Sequence, residues 1–84
     1  MLVDVTDAKH IDHYRLQISF EDGKQGIVDL SDYPAKGGVF SQFKNLDFFR
    51  SFVVSKELGT IVWGDSVDIA PETLYEKCQQ SSAG

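Results

Sequence analysis

The sequence predicts an α+β domain: a small, mostly antiparallel sheet of about five strands, short helical turns in the middle of the chain, and a C-terminal helix. Three observations carry this expectation. YRLQISF at residues 14–20 alternates apolar and polar side chains without a fault. Phe40, Phe43, Leu46 and Phe49 recur every three residues, and PETLYEKC opens on a proline at position 71. The first is the period of a half-buried strand, the second that of one face of helical turns, and the third a helix start.

At the N-terminal end, Val3 and Val5 have strand spacing within LVDVTDAKHI, and Asp12-His13 forms a short polar link to the next strand. There Tyr14, Leu16, Ile18 and Phe20 share one face, while Arg15, Gln17 and Ser19 share the other. The following EDGK is a turn whose length the side-chain pattern decides. A two-residue turn at Asp22-Gly23 would set Leu16 against Asp29 and mix the faces. A three-residue loop, Glu21 to Gly23 with Gly23 left-handed in a bulge, sets Leu16 against Val28 and Tyr14 against Leu30. The bulged hairpin is therefore expected, with Asp29 facing solvent or the sheet's other layer.

SDYPAKGG, with Pro34, Gly37 and Gly38, reads as an ordered loop too short to link domains. The Phe-rich run after it is expected to lie on the sheet as an aromatic core plug, with Asn45 or Asp47 capping its second turn. FVVSKE, LGT and IVW read as strand, turn at Gly59, and strand, on the strength of their β-branched residues. In the last helix Pro71 fits the first position, and Glu72 and Lys77 complement the two ends of the dipole. Leu74 and Cys78 lie one turn apart and face the sheet, with Tyr75 on their flank. QQSSAG has no apolar anchor, so one domain over residues 1–78 and a frayed polar tail over 79–84 are expected.

The composition excludes several functions. Eighty-four residues suit one domain, and a hydrophobic content of 42% is too high for a chain that stays unfolded. Thirteen acidic residues against eight basic ones give a formal charge of −5, which repels phosphate backbones and anionic lipid surfaces. The basic residues stand singly, so nucleic-acid binding is not expected of this chain alone. Cys78, the single cysteine, cannot form an intramolecular disulfide and reads as a small apolar helix residue in a reducing compartment. MLVDVTDAKH lacks a basic segment followed by an apolar one, and no run is long enough to span a bilayer. A soluble cytoplasmic protein with no membrane attachment is expected.

The motifs of common chemistries do not occur. Phosphate-cradling glycine patterns and the G-x-S-x-G elbow are missing, and both histidines sit at the end of one strand. In KHIDHY, His10, Asp12 and His13 offer three ligand types in four residues, but nothing in the sequence supplies a second element to close a coordination shell. A polar turn is the expectation there, with no metal and no cofactor. Trp63, Asp65, Asp68, Glu72 and Glu76 make the C-terminal end acidic, balanced only by Lys77. Asp65 fits a turn in WGDS, and Asp68 lies where an acid can accept from free backbone N–H groups at a helix start. Trp63 with Asp65 has no such structural account, so Trp63, Asp65 and Asp68 are the expected partner-binding residues, on an exposed acidic aromatic edge.

With these features in hand, the chain resembles a bacterial family known as domain of unknown function 2442. The resemblance rests on YRLQISFEDGKQGIVDL with its F-x-D-G turn and V-D-L exit, the Phe-rich middle, and IVWGDSVDIAPETLY, and it spans essentially residues 3–76. It implies a small α+β fold, found alone or joined to a helix-turn-helix segment; only a few polar residues follow Tyr75 here, so no DNA-binding segment is carried over. Some members lie beside a second small protein, which implies a toxin–antitoxin arrangement. The family has no established catalytic residues, so none are assigned.

The expected function is a small protein-interaction module without catalytic activity, the acidic partner of a two-protein regulatory pair. The alternative is a small-ligand or metal-binding protein, or an enzyme, that uses the acids near Trp63 or the His10–His13 turn. Self-association stays open because a small sheet leaves edges, which Lys9, Lys24 and Lys56 guard.

Overall fold

A computed structural model describes residues 3–64 and 67–82, with side chains described as far as Cys78. The fold is α+β, but the strands divide into two three-stranded antiparallel sheets and do not make one sheet of about five. The first sheet joins β1 (Val5–Asp12), β2 (Arg15–Phe20) and β3 (Gln25–Asp29) in that order. The second joins β4 (Val53–Ser55), β5 (Thr60–Trp63) and β6 (Val67–Asp68) in that order. Between them run a 3₁₀ turn at Pro34–Lys36, a longer 3₁₀ stretch at Gly38–Lys44 and the short helix α1 (Leu46–Phe49); α2 (Pro71–Ser82) closes the chain.

The division has a physical cause. The Phe-rich segment between β3 and β4 packs its rings against both sheets: Phe49 meets Tyr14 beside β2 at 5.0 Å and Trp63 of β5 at 5.9 Å. The sheets are thus joined through a shared core, and at their margin through a backbone bond in which the Val5 N–H donates to the Gly59 carbonyl at 2.9 Å.

The first hairpin has the expected register. Leu16 pairs with Val28, and the Leu30 N–H donates to the Tyr14 carbonyl at 2.9 Å. Gly23 takes φ +91°, where a side chain is disfavoured, and the Asp22 carboxylate accepts from the Lys24 N–H at 3.0 Å, so loop 21–23 is internally bonded. The β1–β2 link falls one residue later than expected, on His13-Tyr14, because Asp12 pairs with Arg15. His13 carries the strain of that tight link at φ 40°.

In the middle segment the three-residue spacing belongs to the 3₁₀ stretch, where residues three apart eclipse. Phe40 and Phe43 therefore point inward together. Asn45 ends that stretch and caps α1, its side-chain oxygen accepting from the N–H groups of Asp47 and Phe48 at 2.9 and 3.4 Å. The change to α geometry rotates the next positions. Leu46, expected on the inner face, is 38% exposed, while Phe49 is fully buried and Phe48 half-buried.

One contiguous core results. Leu16, Ile18, Val28, Leu30, Phe43, Phe49, Ile61, Trp63, Leu74 and Cys78 are completely shielded. Helix α2 begins at Pro71 with the Ala70 carbonyl accepting from the N–H groups of Thr73 and Leu74, and it continues to Ser82, beyond position 78. It packs on the apolar face of the first sheet at Gly26. A Cβ built on Gly26 would lie 2.5 Å from the Cys78 Sγ, so the missing side chain is what lets the helix approach.

Candidate functional site

The acidic aromatic edge expected at Trp63, Asp65 and Asp68 is not assembled as such. Trp63 ends β5, and its indole is fully buried among Phe43, Phe49 and Phe52, with ring centroids at 4.7, 5.9 and 6.3 Å. Its N–H donates to the Phe49 carbonyl at 2.7 Å, so the polar atom that could have held it near the surface is satisfied inside. The expectation of an exposed tryptophan is therefore corrected: the side chain fastens α1 to the second sheet. Asp65 lies outside the described residues. Asp68 is exposed and pairs with Val62 in the β5–β6 ladder, and among the described hydrogen bonds none joins its carboxylate to α2, which starts three residues further on.

What the fold exposes near Asp68 is the outer flank of α2. Glu72 and Glu76, one turn apart, are both exposed, and the described ion pairs, Arg15–Asp12 and Arg50–Asp47, involve neither of them. Together with Val3 and Tyr75 they line a groove of about 190 Å³. Its apolar wall is firm. Tyr75 meets Phe20 edge to face at 5.0 Å and 83°, and its hydroxyl donates to the Asp22 carboxylate at 2.7 Å. Two hydrogen bonds, first from the Lys24 N–H and then from Tyr75, hold the Asp22 carboxyl below its ordinary pKa of 3.8.

A second concavity, of about 420 Å³, lies where the two sheets meet and is lined by Asp4, Val5, Thr6, Glu21, Lys56 and Gly59. The Glu21 N–H donates to the Asp4 carbonyl at 2.9 Å across its rim. Gly59, buried at φ +69°, brings its α-carbon against the Asp4 carboxylate, where a Cβ would meet Oδ1 at 2.5 Å. The cleft is shallow and of mixed charge.

The His10–Asp12–His13 turn is occupied by its own hydrogen bonds. The His10 Nε2 donates to the His13 carbonyl at 3.0 Å, which fixes the imidazole. Asp12 accepts from Arg15 through both oxygens at 2.7 Å, and that charge-assisted pairing lowers its pKa. Among the described residues no three His, Cys, Asp or Glu side chains are placed to hold a metal ion. Cys78 is buried beside Gly26, and burial pushes its thiol pKa up, the reverse of what a nucleophile needs.

Several linking residues carried no sequence signal of their role. Tyr14 donates its hydroxyl to the Phe43 carbonyl at 2.8 Å, and Thr60 donates to the Ile69 carbonyl. The first joins segments 29 residues apart, and the second ties β5 to the strand-to-helix link nine residues on. Gly26 was legible only as a glycine within a strand, which is itself a sign of close backbone approach. Val3, which has strand spacing in the sequence, lies ahead of β1 and lines the groove beside α2, a position that nothing in the sequence marks.

A family model described as "protein of unknown function (DUF2442)" matches residues 5–80, nearly the whole chain. No match is found among curated proteins or among solved structures. The matched span takes in both sheets, the aromatic segment and most of α2, so this chain belongs to the DUF2442 family of proteins of unknown function.

Proposed function

We propose that the protein is a protein-binding module without catalytic activity, and that it serves as the acidic member of a two-protein bacterial regulatory pair of the toxin–antitoxin kind. The observation that carries this function is the surface from β6 through α2. Asp68, Glu72 and Glu76 are exposed there, and among the described residues none of the three has an ion-pair partner in its own chain. With a formal charge of −5, such a surface draws in a basic partner and sets its orientation. The buried, raised-pKa thiol of Cys78 and the self-bonded histidine turn further favour binding over catalysis. Tagged protein at native expression level is expected to co-purify with one stoichiometric protein from its host; repeated recovery of the chain alone would remove the function's support.

A second function is favoured by the cleft of about 420 Å³ at the sheet junction, whose Asp4, Glu21 and Lys56 present both signs of charge to a small ligand. Ligand that binds only the native state raises the melting temperature by mass action. A screen of metals, nucleotides, amino acids and sugars separates the two functions, and a shift abolished by Lys56→Ala would favour the cleft.

A further inference from the structure

We propose that the groove between Val3 and the outer flank of α2 is the docking point of the partner, and that it takes an arginine side chain presented by a basic segment of that protein. The proposal rests on the partner-binding function above and names its surface. The groove, at about 190 Å³, is smaller than the ~300–1,000 Å³ of a small-molecule pocket and suits one long side chain. Val3 and the Tyr75 ring give it an apolar wall, against which the methylenes of an arginine stem lie while the charged end stays at the rim.

The rim carries the matching charge. Glu72 and Glu76 stand four residues apart on one helix face, a spacing at which like charges repel and a shared cation relieves them. A guanidinium is planar and presents several N–H donors in a fixed fork, so one group serves two carboxylates where an ammonium serves one at a time. Among the described residues no cation pairs with Glu72 or Glu76, although Lys24 sits at the groove's Tyr75 wall. The Lys77 Nζ lies over the Tyr33 ring at 5.4 Å, and the Lys24 Nζ over the Tyr75 ring at 5.6 Å. The wall is also pre-formed, because the Phe20 contact and the Asp22 hydrogen bond fix Tyr75 before any partner arrives.

The test uses the full chain, ¹⁵N-labelled, titrated with an amphipathic helical peptide bearing arginine and leucine one turn apart, and with the same peptide carrying citrulline in place of arginine. Saturable shifts confined to Val3 and residues 72–76 are expected, with affinity at least tenfold weaker for the citrulline peptide and for the E72Q/E76Q double variant. Both glutamates are exposed, so the variant keeps its fold, which circular dichroism and melting temperature verify. Equal affinity for the double variant, shifts scattered over other acidic residues, or no saturable shift would each overturn the docking point. Co-purification is read separately. A host partner recovered without groove-confined shifts removes this surface and keeps the module; groove-confined shifts without any host partner keep the surface and remove the native pairing.

Discussion

Trp63 is buried because an acceptor waits for its N–H. Without the Phe49 carbonyl at 2.7 Å, placing an indole in a fully dry site would leave a donor unsatisfied. Trp63→Ala is expected to lower the unfolding free energy by about 3–5 kcal/mol in urea titration. As the sole tryptophan it reports its own surroundings: native emission is expected to resist acrylamide, and quenching equal to that of the unfolded chain would contradict the burial. Gly26 makes a complementary case, in which the absence of a side chain is the structural feature. Gly26→Ala forces a methyl group toward the Cys78 Sγ and is expected to cost about 1–3 kcal/mol by overpacking. Cys78→Ala clears that sulfur, so the double variant is expected to lose less than the two single losses added together. Additive losses in the same urea titrations would show that the contact is not what makes position 26 a glycine.

Helix α2 is held at its outer side by a clasp from the β2–β3 turn, and the clasp titrates. The Asp22 carboxylate accepts from the Lys24 N–H and from the Tyr75 hydroxyl, and its pKa falls below 3.8 in the fold. A carboxyl whose pKa is depressed by folding adds stability above its unfolded pKa and loses it as pH falls through the folded value. The loss therefore belongs below about pH 4. Tyr75→Phe removes one of the two bonds, so the Asp22 carboxyl is expected to titrate closer to its ordinary value, read by carboxyl-carbon NMR, with a shallower fall in melting temperature between pH 4 and pH 2. An unchanged Asp22 titration in that variant would sink the clasp. Elements of this local kind were largely legible in the sequence. The hairpin register followed from the alternation of residues 14–20 and the needs of the EDG loop, and the start of α2 followed from Pro71 and Glu72. The division into two sheets was not legible, because alternation within a strand says which face is buried and nothing about which distant strand lies beside it. The burial of Trp63 was hidden for a related reason: its local neighbours, Gly64 and Asp65, are turn-like, and the residues that enclose it lie 11 to 20 positions away. Of the expected site, the acidity of the C-terminal end was legible from composition. The groove was not, since it needs Val3 and Tyr75 brought together from opposite ends of the chain.

At the scale of the whole molecule, two small sheets raise the question of whether the chain unfolds in one step or two. The second sheet is too small to stand alone. It has strands of three, four and two residues, and a sheet that short depends on burying its apolar face against something else. The aromatic segment supplies that surface to both sheets at once, since Phe43 and Phe49 contact Trp63 of the second sheet while Tyr14, just ahead of β2, packs on Phe49 and donates to the Phe43 carbonyl. The Cα radius of gyration is 11.9 Å, close to the ~12 Å of a compact chain of this length. Losing the second sheet would expose the aromatic rings on which the first is packed, so the free energies of the two are tied. Urea unfolding followed by Trp63 fluorescence, which reads the second sheet, is therefore expected to coincide with unfolding followed by the amide signals of residues 15–29 in the first. A Trp63 transition at distinctly lower urea would mean that the second sheet detaches on its own. In that event the Val5–Gly59 bond and the shared rings would be a contact between two units, and the surface from Asp68 to Glu76 would straddle a hinge.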